Sequence, residues 1–215
     1  MNTRRYALVV VDVQRGFVNR HSMHAVPAVV RLVEGWTAVG MPVVFSRFQN
    51  VPGSPYERIS DWTHLRTSEE QALIDELEPY ARYATGIIDK SVSSALTADL
   101  QRLVAEHGWT DLVLCGIDTD SCVYDTAVAV YHRGLRPWIV TDACASTGGA
   151  EFHEAALLLA RRNIGTSQLL TVDEVFDHLA AGANSDRRAT GAFREAVSQP
   201  GNRETLDRDF GDTAG

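Results

Sequence analysis

Short runs of strand-forming residues alternate with helix-period segments along most of this chain, and that alternation limits the possible folds more than any other feature. The first run, 6–11, reads Tyr-Ala-Leu-Val-Val-Val, apolar throughout, as in a parallel strand buried on both faces. Val29, Leu32, Val33 and Trp36 then recur at helical spacing, and Gly40 closes that helix. The same reading predicts strands over 42–48, 86–90, 111–115, 136–141 and 168–170. Helices are predicted around Leu73, Leu77, Tyr80 and Ala81, and around Leu96, Leu100, Leu103 and Val104 up to Gly108. Others follow through Val123, Ala127, Val130 and Tyr131, around Phe152, Ala155, Ala156 and Leu159, and over 172–180. Such alternation builds an α/β fold, with a mostly parallel six-stranded sheet covered by helices on both faces.

The pattern assigns one domain to 1–181. It weakens over 182–215, where Gly, Ser, Asp and Arg dominate and only Ala192, Phe193, Ala196 and Val197 suit a short helix. That tail is expected either to be disordered or to lie as an arm on a neighbouring subunit. Segment 49–67 is a long polar and aromatic loop, and loops of that length in compact domains are often functional. A net charge of −8 argues against nucleic acid as a partner, because phosphate binding needs a basic face. The run after Arg4-Arg5 stops at Asp12 without a cleavage site, so it reads as a strand rather than a signal peptide. No apolar run approaches the ~20 residues that span a bilayer. Three cysteines without a Cys-x-x-Cys pair point to a reducing cytoplasm.

In an open parallel sheet, ligands bind beyond the carboxyl ends of the strands. Asp12, Lys90 and Cys122 stand at three such ends. Taken singly, each has an ordinary reading as a loop carboxylate, a solvated lysine and a small buried residue. All three at equivalent positions point to a site. Cys122 also falls where a strand turns into a helix, and a helix N-terminus favours a thiolate and supplies N–H groups for an oxyanion. Cys115 reads as core, and Cys144 as a structural loop cysteine near the cleft.

These segments resemble the isochorismatase-like cysteine hydrolases, the family that includes nicotinamidase and N-carbamoylsarcosine amidase. The resemblance rests on Val9-Val10-Val11-Asp12-Val13-Gln14-Arg15-Gly16-Phe17, on Ile88-Asp89-Lys90, on Gly116-Ile117-Asp118-Thr119-Asp120-Ser121-Cys122-Val123 and on Thr141-Asp142-Ala143-Cys144-Ala145-Ser146, in family order across roughly 5–180. It implies a Rossmann-like three-layer α/β/α sandwich and a catalytic triad. Cys122 is then the nucleophile, Asp12 the general base and acid, and Lys90 the positive charge that holds both. It also implies a cis peptide at Ile117–Asp118, with the backbone N–H groups of Asp118 and Cys122 as the oxyanion hole.

Departures narrow the reading. Where nicotinamidases carry an Asp-x-His-x-x-x-His metal site, this chain has Ser46 to Pro52 without a histidine. His21, His24 and His64 lack further ligands, so no metal and no cofactor are expected, which argues against nicotinamide as substrate. Asp118 replaces the small alanine usual in nicotinamidases, which leaves the pocket's shape open. Gln14, Phe17, Phe48, Asn50, Tyr56 and Trp62 are the candidate pocket residues, and Arg47 or Arg58 is a candidate for binding a substrate carboxylate. The preferred function is hydrolysis of a C–N bond in a small amide, ureido or carbamoyl compound through a thioester. The alternatives are vinyl-ether hydrolysis of the isochorismatase type and a non-catalytic thiol sensor on the same scaffold. The expected partners are a small-molecule substrate and a second copy of the chain, as a homodimer or larger assembly, with neither nucleic acid nor membrane.

Overall fold

The computed structural model describes residues 4–183; the tail assigned to 182–215 falls almost wholly outside the described residues. Six strands form one all-parallel sheet: β1 (Tyr6–Val11), β2 (Val43–Phe48), β3 (Gly86–Lys90), β4 (Asp111–Ile117), β5 (Arg136–Ala145) and β6 (Leu169–Leu170). Their order is β3-β2-β1-β4-β5-β6. The chain therefore builds outward from β1 in one direction and from β4 in the other. The switch point between β1 and β4 opens a crevice at their carboxyl ends. β1 is central, and its residues from Ala7 to Val11 are fully buried. Each such valine contributes roughly 1.5–3 kcal/mol over an exposed one. This is why an unbroken β-branched run marks the middle of the sheet.

Helices α1 (Val26–Ala38), α2 (Pro55–Ser60), α5 (Ala98–His107), α6 (Tyr124–His132), α7 (Ala150–Asn163) and α8 (Val172–Ala183) connect or flank the strands. Pro27 sits in the first turn of α1, where its missing N–H costs nothing, and α5 ends on Gly108 with a left-handed φ of 63°. Gly116 fulfils a harder demand near the end of β4. Its φ is 124°, and a Cβ there would stand 2.0 Å from the carbonyl oxygen of Val11. Only glycine lets β4 approach β1 this closely beside the crevice.

Three local expectations need correction. No single helix runs through Leu73, Leu77, Tyr80 and Ala81. Instead a short α3 (Ser68–Gln71) is opened by a Thr67–Glu70 capping box, Leu73 bridges to Gln14, and a short α4 spans Glu78–Ala81. Pro79 explains the break, since proline fits only the first turn of a helix. Helix α7 exists but buries Ala156, Leu157 and Ala160, leaving Phe152 and Leu159 about half exposed. The small residues let the helix lie close to β5 and to the turn that carries Cys122. Strand β5 runs on to Ala145, so Cys144 belongs to a strand and is buried, not in a loop.

Candidate active site

Asp12 follows β1 directly. Its φ of 51° lies in the left-handed range and ends the strand. Its carboxylate is fully buried. Ser46 of β2 donates to Oδ1 at 2.7 Å, and Lys90 Nζ meets Oδ2 at 2.6 Å. Oδ2 finds no other hydrogen-bond donor among the described residues. Lys90 is the last residue of β3, two strands away from β1, and its long stem carries the ammonium across the edge of β2. There it donates to the carbonyls of Val92 (3.0 Å) and Ser93 (2.8 Å) and to Cys122 Sγ (3.5 Å). The Phe48 ring lies 5.1 Å from Nζ, which adds a cation–π contact. Cys122 completes the cluster. The Ile117–Asp118 peptide is cis, and a π turn over Thr119–Val123 leads from β4 into α6. Thr126 Oγ1 donates to the Cys122 carbonyl at 2.6 Å while accepting from Ala95 N at 2.8 Å. It thus ties the cysteine turn to the loop after Lys90.

The structure brings Asp12, Lys90 and Cys122 together, but it changes the charge state expected of the sulfur. Burial pushes the Cys122 thiol up to about 12, the Asp12 carboxylate adds to this, and Lys90 pulls the other way. Charge counting gives the reason. Asp12 and Lys90 already neutralise each other, so a thiolate formed by losing a proton to solvent would leave one uncompensated negative charge in a buried site. The helix N-terminus does not outweigh that. The resting sulfur carries its proton, next to a carboxylate able to take it.

A cavity of about 520 Å³ opens onto the sulfur. Phe17, Phe48, Tyr56 and Trp62 line it, as their selection from the sequence anticipates. Phe17 and Trp62 stack at 6.1 Å, and Tyr56 meets Trp62 edge-on at 5.9 Å. Gln14 and Asn50 are placed elsewhere. Gln14 is fully buried, accepts from Phe48 N at 2.7 Å and donates to the carbonyls of Phe48 (3.0 Å) and Gln71 (2.8 Å). Asn50 donates to the carbonyls of Trp62 and His64 and accepts from Ser54 Oγ. Both hold the wall from behind instead of facing the ligand. Arg47 forms a two-bonded pair with Asp89, and Arg58 donates to the Gly53 carbonyl, so neither guanidinium stands on the wall. Asp118, Ser121, His64, Asn19 and Thr147 do line it and were not selected as side-chain contacts from the sequence. The position of Asp118 and Ser121 inside the cysteine motif was the available signal. No group of three or more His, Cys, Asp or Glu suited to a metal occurs among the described residues. A larger cavity, about 720 Å³, includes Arg4, Asp111 and Arg136 at the opposite edge of the sheet and touches none of the triad.

The isochorismatase-domain family model matches residues 6–173. The chain belongs to the isochorismatase family. It is a hydrolase of that family with a Rossmann-like α/β fold. Nicotinamidase 3 of Arabidopsis thaliana is 26% identical over 165 residues, covering 73% of this chain and 81% of that protein. The crystal structure of nicotinamidase from Bacillus subtilis superposes with a TM-score of 0.68 at 25% identity, over 77% of this chain and 99% of that one. N-carbamoylsarcosine amidase from Thermoplasma acidophilum gives 0.67 at 26%, over 79% and 98%. Among the described residues, no helix is long and apolar enough to cross a membrane.

Proposed function

We propose that this isochorismatase-family hydrolase cleaves the C–N bond of a small amide, ureido or carbamoyl compound through a thioester on Cys122. One observation carries the reading: a buried ammonium, Lys90, touches both Asp12 (2.6 Å) and Cys122 (3.5 Å). That arrangement suits a nucleophile beside its base with a fixed counter-charge. The Cys122 proton passes to Asp12 as sulfur attacks the carbonyl carbon. The backbone N–H groups of Asp118 and Cys122 take the developing oxyanion. Asp12 returns the proton to the leaving nitrogen, which departs as ammonia or an amine. Water then gives a proton to Asp12 and attacks the thioester, releasing the acid and restoring the thiol. The amidase and nicotinamidase names among its relatives support C–N hydrolysis over vinyl-ether chemistry. No step needs a cofactor.

The test is ammonia release from a panel of small amides, ureas and carbamoyl compounds. Cys122→Ala and Asp12→Asn are each expected to lower kcat by about 10³-fold or more while thermal melting stays close to that of the parent. A folded Cys122→Ala protein with undiminished turnover would exclude the acyl-enzyme route.

A further inference from the structure

The triad accounts for the reacting end of a substrate but not for the charge on the rest of the cavity. Among the described residues that line it, Asp118 is the acid, and no lysine or arginine appears. Asp118 accepts from Thr147 N at 2.6 Å on one oxygen and from Thr147 Oγ1 at 2.9 Å on the other. A carboxylate has about four lone-pair sites, so acceptor capacity remains on both oxygens. Burial raises the Asp118 carboxyl to about 6, against the lowering effect of the Thr147 bonds, and Asp120 and Asp12 raise it further. It is therefore mostly ionised at neutral pH. The other wall is aromatic. Phe17 and Trp62 stack, and Tyr56 packs against Trp62. Ring faces carry negative electrostatic potential and bind alkylammonium groups.

A substrate anion would meet this carboxylate with no lysine or arginine beside it among the described wall residues. Lys90 stands behind the sulfur with its ammonium engaged by Asp12, Val92, Ser93 and Cys122. Building on the amidohydrolase reading, we infer that the substrate is a small amide whose far end carries a positive charge, an ammonium or quaternary ammonium group, received by the aromatic wall and the Asp118 carboxylate. The positive charge belongs to the substrate, so hydrolysis releases ammonia and a zwitterionic acid.

The inference is tested by binding, without relying on turnover. Calorimetry on Cys122→Ala protein would compare trimethylammonioacetamide with 3,3-dimethylbutanamide, which has the same shape and no charge. The cation is expected to bind about tenfold more tightly or better, and Asp118→Asn or Asp118→Ala in the same background should cut that ratio severalfold. Equal affinity for the two, no saturable binding of the cation, or a ratio indifferent to Asp118 would each overturn the inference. The first comparison needs no Asp118 variant, so it decides even if those proteins fail to fold. Ammonia release from trimethylammonioacetamide by unaltered protein is measured separately. A cation preference without release would count against the hydrolytic reading alone.

Discussion

In the proposed mechanism Cys122 and Asp12 share one proton above a single ammonium, and the reactivity of the site follows from that count. With the proton on sulfur or on Asp12, the cluster with Lys90 is neutral either way. Losing the proton to solvent is what burial and Asp12 push up to about 12. A thiolate formed by internal transfer is a fixed fraction of the protein at any pH where the pair holds one proton. Iodoacetamide should therefore modify Cys122 at a rate nearly level between about pH 6 and pH 9, whereas an ordinary thiol below its value of 9.0 gains about tenfold per unit. Mass-spectrometric quantitation of the Cys122 peptide checks this, and a tenfold-per-unit rise would mean the two groups ionise independently. At this scale the convergence of Asp12, Lys90 and Cys122 was legible, because strand ends converge in a parallel sheet. Its charge state was not, because Lys90 and Asp12 cancel only once their 2.6 Å contact is known. The place of Asp118 on the cavity wall was hidden too, since the motif shows the residue but not what surrounds it.

Between elements, Gln14 substitutes for missing strand pairing. Its amide exchanges two hydrogen bonds with the backbone of Phe48 at the end of β2 and gives a third to Gln71. This holds the ring that touches Lys90 and lines the cavity. Gln14→Ala would leave a buried N–H and carbonyls without partners, at about 1–3 kcal/mol for each group left unpaired. The expected result is a stability loss of about 3 kcal/mol or more in urea denaturation, with KM rising more than kcat falls. Unchanged stability would show that another donor fills the place. The six strands were legible because β-branched runs buried on both faces have few other uses. The 73–81 segment misled because Leu73, Ile74 and Leu77 are buried at helical spacing without a continuous helix, and Pro79 was the cue against one. In α7 two apolar stripes overlap, and periodicity alone does not tell which one faces the sheet.

Over the whole molecule, the three thiols make stability a function of alkaline pH. Cys115, Cys122 and Cys144 are all free and buried. Burial is the leading cause that holds each proton more tightly than the ordinary thiol value of 9.0, with Cys122 and Cys144 raised to about 12 and Cys115 well above 9.0. In the unfolded chain each thiol ionises near 9.0. Below that pH both states keep the protons and the thiols contribute no slope. Between about 9 and about 12 the native state binds up to three more protons than the unfolded one, so stability falls as pH rises. Each thiol contributes about 1.4 kcal/mol per pH unit there, roughly 4 kcal/mol per unit together. The proposed nucleophile and the two other buried sulfurs thus act on the fold in the same direction, whatever their part in chemistry. Urea denaturation at about pH 8 and at steps above about pH 9.5 should show this steepening, and Cys144→Ala should remove about a third of the added slope. An equal slope with and without Cys144 would mean that the buried strand thiol ionises alike in both states, and that groups other than the cysteines set the alkaline limit.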